Sequence, residues 1–220
     1  MKNKNLKKIV IIGAGGLARE VRWLIEDINQ EAHTYEFLGF IVSDLDKVGK
    51  LDEKDLILGD YSWFKVNGLS QINVAIGIGN PPNRLEVVNE LLLSRKNIIY
   101  PNLIHPSAVY DKNSIKLGKG IIICANTVLT VNVIIQDFVF INLICSIGHE
   151  SIIGRGSVIN PSANISGGIL IGSGVLVGSS ATILQYLKIG DFSRVGAGAV
   201  LTKSIPKNVT AVGIPAKIIG

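Results

Sequence analysis

Only two cysteines, Cys124 and Cys145, stand in the chain's 220 residues, with no CxxC spacing. With three histidines in all, they form no cluster from which a zinc site could be built. Disulfides and a structural metal are therefore not the source of stability, and a chain of this length buries a sufficient core without them. Aromatic residues are scarce, at 6%, and the basic residues are scattered apart from Lys2, Lys4, Lys7 and Lys8. A nucleic-acid binder's basic stripe with interleaved aromatics is missing. The net charge of +5 suits simple solubility, or a small anionic ligand such as a nucleotide. No apolar run approaches the length of a membrane span, and the one after the basic opening has four residues before glycine, too short for a signal peptide. The expected setting is the cytoplasm, without membrane insertion, where free thiols persist.

What is abundant is Ile, Val, Leu and Gly, a composition that favours stacked β-structure. The chain divides by periodicity, and the division predicts two domains, 1–103 and 104–220. In the first, "KKIVIIGAGG" reads as a buried strand entering a glycine turn, after which Leu17, Val21, Leu24, Ile25 and Ile28 recur on one helical face. "EFLGFIVSD" and "INVAIGIGN" are further apolar runs, and Leu85, Val88, Leu91 and Leu92 mark a second helix. Strands alternating with helices imply a parallel sheet, a small Rossmann-like α/β unit. Gly13, Gly15 and Ala18 fit G-x-G-x-x-G/A, a turn that also serves a plain strand-to-helix connection. Asp44, Gly77, Gly79 and Asn80 also follow predicted strands, so they gather at the carboxyl edge, where such sheets bind nucleotides.

From Leu117 the rule changes. Stepping by six through Ile123, Leu129, Ile135 and onward to Leu201 gives fifteen positions, every one aliphatic. Chance odds are on the order of one in ten million if about a third of positions were aliphatic, so the repeat is real. Small or β-branched residues often sit four positions on, as at Thr127, Cys145, Ser151 and Ala163. A six-residue period marks a parallel β-helix with a triangular coil of about eighteen residues, which predicts five coils. Residues eighteen apart then stack at roughly 4.8 Å. His149, the only histidine in the repeat, stacks between Val131 and Gly167, with Asn142 half a coil earlier. Its neighbour Glu150 can reach it only if the pair sits at a corner, because adjacent strand residues point to opposite faces.

The segments "IVIIGAGG", "GFIVSD", "GIGNPPNR", "LIHPSAV", "FINLICSIGHESIIG", "NPSANISGG" and "VGIPAKII", in this order, resemble the PglD/NeuD branch of sugar acetyltransferases over nearly the whole chain. The resemblance implies a left-handed β-helix after the α/β domain, acetyl-CoA as co-substrate, no metal, and a homotrimer with acetyl-CoA in the groove between subunits. Carried over, it makes His149 the general base and Glu150 its partner. It places Gly13, Gly15, Gly16, Asp44, Asn80, Arg84 and Asn142 at the nucleotide-linked amino sugar, and Gly167, Gly168, Ala197 and Gly198 at the CoA thioester and its tail. Imidazole titrates near working pH, and attack on a thioester builds oxyanion charge that a fixed backbone N–H stabilises. The leading expectation is N-acetylation of a nucleotide-linked amino-deoxy sugar for a surface glycan. Sialic-acid-type O-acetylation and non-catalytic sugar-nucleotide binding remain alternatives. A carbonic anhydrase on this scaffold would need three histidines around zinc, and the repeat has one.

Overall fold

The computed structural model describes residues 6–49, 52–66, 68–94 and 97–219. Lys2, Lys4 and the side chain of Leu92 lie outside the described residues. The first part runs β1 (Lys7–Ile12), α1 (Gly16–Glu31), β2 (Tyr35–Ile41), β3 (Ile57–Gly59), α2 (Trp63–Val66), β4 (Ile72–Ile76), α3 (Pro81–Ser94) and β5 (Ile98–Ile99). The strands form one parallel sheet in the order β3-β2-β1-β4-β5. In β1, Ile9 and Ile11 pack with Val21, Leu24 and Ile25 of α1, while Val10 and Ile12 pack with Val88 and Leu91 of α3. A strand covered on both faces has no polar side, which is why β1 reads as a continuous apolar run. No described helix is long and apolar enough to cross a membrane.

The second part is a left-handed parallel β-helix of two-residue strands on three sides. The pairing Ile135↔Ile153, Ile141↔Ile159 and Ile147↔Ile165 gives the expected step of eighteen. Of the fifteen six-step positions, all but the half-buried Leu117 are at most 3% exposed. The small residues four positions on also point inward, and their hydroxyls are satisfied there: Ser151 donates to Ser166 O at 3.0 Å and Ser157 to Gly172 O at 2.8 Å. The coil begins earlier than the repeat predicts. Leu103–Ile104 pairs with Ile122–Ile123, and Val109–Tyr110 with Val128–Leu129, adding a coil ahead of the expected five. Seven residues rather than six separate Tyr110 from Leu117, and this hides the first coil from a six-step count.

Each coil turns three corners, and at most of them the second corner residue takes a left-handed backbone: Phe138 has φ 60°, Ile144 58°, Glu150 61° and Gly168 67°. Stacking makes three columns. The first contains Asp137–Phe138 and Arg155–Gly156, the second Leu143–Ile144 and Ala197–Gly198, the third His149–Glu150, Gly167–Gly168 and Gln185–Tyr186. The side between the first and second columns carries Ile122, Phe140 and Val158 outward, yet all are buried, because α1 packs there. At the first column, Arg155 Nη2 donates to Asn89 Oδ1 of α3 at 2.8 Å. The third column is therefore the corner opposite the α/β unit.

Both cysteines are free and buried, and burial pushes the Cys124 thiol up to about 12 and that of Cys145 up to about 11. A thiol with its folded pKa raised contributes stability below its unfolded pKa, and that contribution is lost as pH climbs through the folded values. Two outcomes follow: neither thiol reacts with DTNB at pH 8 until denaturant is added, and stability declines above about pH 9. Rapid native-state labelling would show that the coil opens locally around them.

Candidate active site

His149 and Glu150 occupy a corner, so the geometric condition for their contact is met: Nδ1 lies 3.6 Å from Glu150 Oε2. The left-handed φ of Glu150 turns its side chain back beside the imidazole instead of across the strand. The ring's other edge lies on Gly167, where a Cβ would stand 2.4 Å from His149 Nε2. Only glycine leaves room for the ring at that position.

The Gly167 amide differs from three of its counterparts at the first column. There the amide of Lys119 donates to Asp137 Oδ1 at 3.0 Å, that of Ser173 to Asp191 Oδ1 at 2.8 Å, and that of Arg155 to Gln136 Oε1 at 3.0 Å. Among the described residues no acceptor meets the Gly167 N–H. The amide of Gly168 is occupied, donating to His149 O at 2.7 Å. The third column thus joins an imidazole, a carboxylate and, under the ring, a backbone N–H without an acceptor, groups that serve proton transfer and oxyanion stabilisation in acyl transfer.

A second site lies at the carboxyl edge of the sheet, a cleft of about 590 Å³ between the loops after β1 and β2 and helix α3. Gly13, Ala14 and Gly15 line it. Gly13 has φ 98° and a Cβ there would be 3.0 Å from Gly77 O, so glycine is needed both for conformation and for space. Gly15 is the N-cap of α1, with no side-chain cap, so the first amides of the helix open towards an anion. Gly16 begins α1 and is not in the lining. Asp44 lines the cleft and its Oδ1 accepts from Asp46 N at 3.0 Å, which fixes the loop after β2.

Burial corrects one expected contact, and a second expected residue is engaged in capping. Arg84 is fully buried rather than in the cleft: Nε donates to Phe138 O at 2.7 Å, and Nη1 to Ile76 O at 2.6 Å and Ile78 O at 3.2 Å. Its guanidinium stacks over Phe140 at 5.7 Å, and desolvation pulls its pKa down to about 9. It is a strut between the sheet edge and the β-helix. Asn80 caps α3, its Oδ1 accepting from Asn83 N at 3.1 Å, and is absent from the lining.

Other residues line the cleft that sequence reasoning missed: Asp52, Tyr61, Asn83, Glu86 and Glu90. Among the described residues of the lining there is no Lys or Arg, so its polar groups are the Gly13–Gly15 turn, Tyr61, Asn83 and the carboxylates. The Tyr61 hydroxyl is pushed up to about 12 by burial and by Glu90 and Glu86. The spacing of Asn83, Glu86 and Glu90 on α3 was the available signal, since these polar residues form one face.

Asn142, Ala197 and Gly198 are not beside His149 in the same chain. Asn142 enters the second corner, its Oδ1 accepting from Leu143 N at 2.8 Å, and Ala197–Gly198 lie further along that column. No group of three His, Cys, Asp or Glu side chains among the described residues could hold a metal ion.

Comparison with known proteins gives three findings. Residues 8–91 match the family model described as PglD N-terminal domain. A serine acetyltransferase of Buchnera aphidicola is 44% identical over 39 residues, 18% of this chain and 14% of that enzyme's length. Solved structures match along the whole chain. WeeI from Acinetobacter baumannii is 30% identical with a TM-score of 0.83, covering 97% of this chain and 100% of that one. The acetyltransferase domain of PglB from Neisseria gonorrhoeae, in complex with acetyl coenzyme A, is 27% identical with a TM-score of 0.83, covering 98% and 100%. PerB from Caulobacter crescentus, in complex with CoA and GDP-perosamine, is 26% identical with a TM-score of 0.84, covering 97% of each.

Proposed function

Since the chain belongs to the PglD/NeuD-like family of sugar acetyltransferases, we propose that it acetylates the amine of a nucleotide-linked amino-deoxy sugar with His149 as general base. It is a sugar N-acetyltransferase that draws its acetyl group from acetyl-CoA. The observation that carries the finer reading is the third corner, where the His149 ring lies on Gly167 beside the uncommitted amide.

In this reading the sugar amine attacks the thioester carbonyl carbon and loses a proton to His149 Nε2 as the C–N bond forms. Negative charge gathers on the carbonyl oxygen, which accepts from Gly167 N–H. The C–S bond then breaks, and the CoA sulfur leaves with the proton from the imidazolium. Glu150 orients the ring from the Nδ1 side.

We assign residues 1–103 to the sugar-nucleotide and 104–220 to acetyl-CoA and the base. Gly13, Gly15 and Gly16 form the phosphate turn and Asp44 meets the nucleoside; the assigned use of the product is surface glycan assembly. Because the cleft and His149 lie on opposite sides of one chain, a sugar held in the cleft is delivered to another chain's base. A homotrimer meets that demand and sets the Asn142, Ala197 and Gly198 corner of one copy across the groove from His149 of the next.

The test is mass spectrometry after incubation with acetyl-CoA and UDP-, dTDP- and GDP-linked amino sugars, with free sialic acid alongside. One nucleotide amino sugar should gain an acetyl mass. Acetylation of sialic acid alone would overturn the N-acetyl reading.

A further inference from the structure

Large side chains occupy the left-handed corner position in a few places, and these are covered unequally. Phe138 is buried against Tyr100, with ring centroids 5.0 Å apart. The Phe192 ring packs on Gly174 beside Leu85 of α3. Tyr186, with φ 61°, is 69% exposed on the third column, two coils beyond Glu150. Other exposed corners use Asn126, Asn132 or Ser180 at the same backbone angle, and Ile144 and Phe192 are the exposed bulky residues that share it with Tyr186, at a conformational cost.

The ring of Tyr186 does not extend into open space. It rises over Gly168, where a Cβ would stand 2.4 Å from Cδ1 and 2.7 Å from Cε1, while His149 descends over Gly167. Two consecutive glycines thus make a bare floor with one ring on each. Beyond Tyr186 the chain turns basic. Lys188, Arg194, Lys203, Lys207 and Lys217 are exposed, and Asp191 is the one carboxylate side chain from 187 to 220.

We infer that Tyr186 is a positioning residue whose ring seats the pantetheine arm of acetyl-CoA as it leaves the thioester at Gly167 for the basic end of the coil. This rests on the reading of Gly167 given above. A path from the thioester to cations that suit the CoA phosphates runs along the third column and crosses Gly168 and Tyr186. An aromatic face with a terminal hydroxyl suits an arm of alternating methylenes and amides.

The experiment is calorimetric titration of CoA into the full-length parent, Tyr186→Asn and Tyr186→Phe. Asparagine keeps the backbone, since Asn126, Asn132 and Asn208 already adopt this angle. Tyr186→Asn should weaken CoA about tenfold, or about 1.4 kcal/mol, with KM for acetyl-CoA rising in parallel and the loss falling on KM rather than kcat. Tyr186→Phe should recover most of that affinity. CoA affinity equal to that of a parent that binds would overturn the proposal, as would a smaller assembly in size-exclusion chromatography, which would mean a second copy covers the ring. A parent with no CoA affinity would instead sink the functional reading beneath it.

Discussion

His149→Ala is expected to lower kcat by about 10²–10⁴-fold, with KM for acetyl-CoA and for the sugar-nucleotide little changed. The side chain is half exposed, and it touches the glycine floor without supporting the core. The melting temperature should therefore stay within a degree or two, which separates a chemical loss from a structural one. The same variant tests where the sugar comes from. Gly15→Leu places a side chain in the mouth of the cleft, where nothing stands within 4 Å of the added Cβ, and should abolish acceptor binding. Refolding Gly15→Leu together with His149→Ala should restore part of the activity, because some grooves then pair an intact cleft with an intact base. A mixture that stays dead would confine cleft and base to one chain.

The largest expected effect on stability is at Arg84. A buried cation without a carboxylate is costly, and replacement by a well-packed apolar residue can relieve that cost. Here three carbonyl contacts, at Phe138, Ile76 and Ile78, oppose the relief, and two of them belong to the edge of the sheet while the third belongs to the β-helix. Hydrogen bonds to a charged group contribute roughly 1.5–3 kcal/mol each, and truncation adds a cavity. Arg84→Ala should therefore cost about 3–5 kcal/mol in urea unfolding, with Arg84→Lys intermediate because a single ammonium lacks the planar fork. Equal or greater stability in Arg84→Met would show that the charge is a burden and that the strut contributes little. At neutral pH a guanidinium lowered to about 9 still carries its proton, so the contacts are those of a cation.

The same residue shows why part of the site was hidden in the sequence. The family resemblance put Arg84 at the nucleotide-linked sugar, and nothing local in the sequence announces that the β-helix will close over it. The inward aliphatics, in contrast, obey a rule that needs no distant partner, and Ile135, Ile147 and Ile165 are placed by counting alone. Whether His149–Glu150 stands at a corner was a condition the count left open, and the left-handed φ of Glu150 meets it. Glu86 and Glu90 were missed for the opposite reason to Arg84: on a helix they pass for solvated residues, and only the placement of α3 beside the loops after β1 and β2 makes them a wall. Asn142 was identified in sequence but not in space, since half a coil of separation puts it on another corner.

The eighteen-residue step also behaves as a frame for insertion and deletion. Loss or gain of eighteen residues leaves every later side chain facing as before and changes only the molecule's height. Six residues keep aliphatics inside but rotate everything downstream by a third of a turn, carrying one corner's chemistry to the next. Any other number scrambles inside and outside. Lineages of this scaffold can therefore lengthen or shorten the distance between the base and the basic end in whole storeys, without disturbing either.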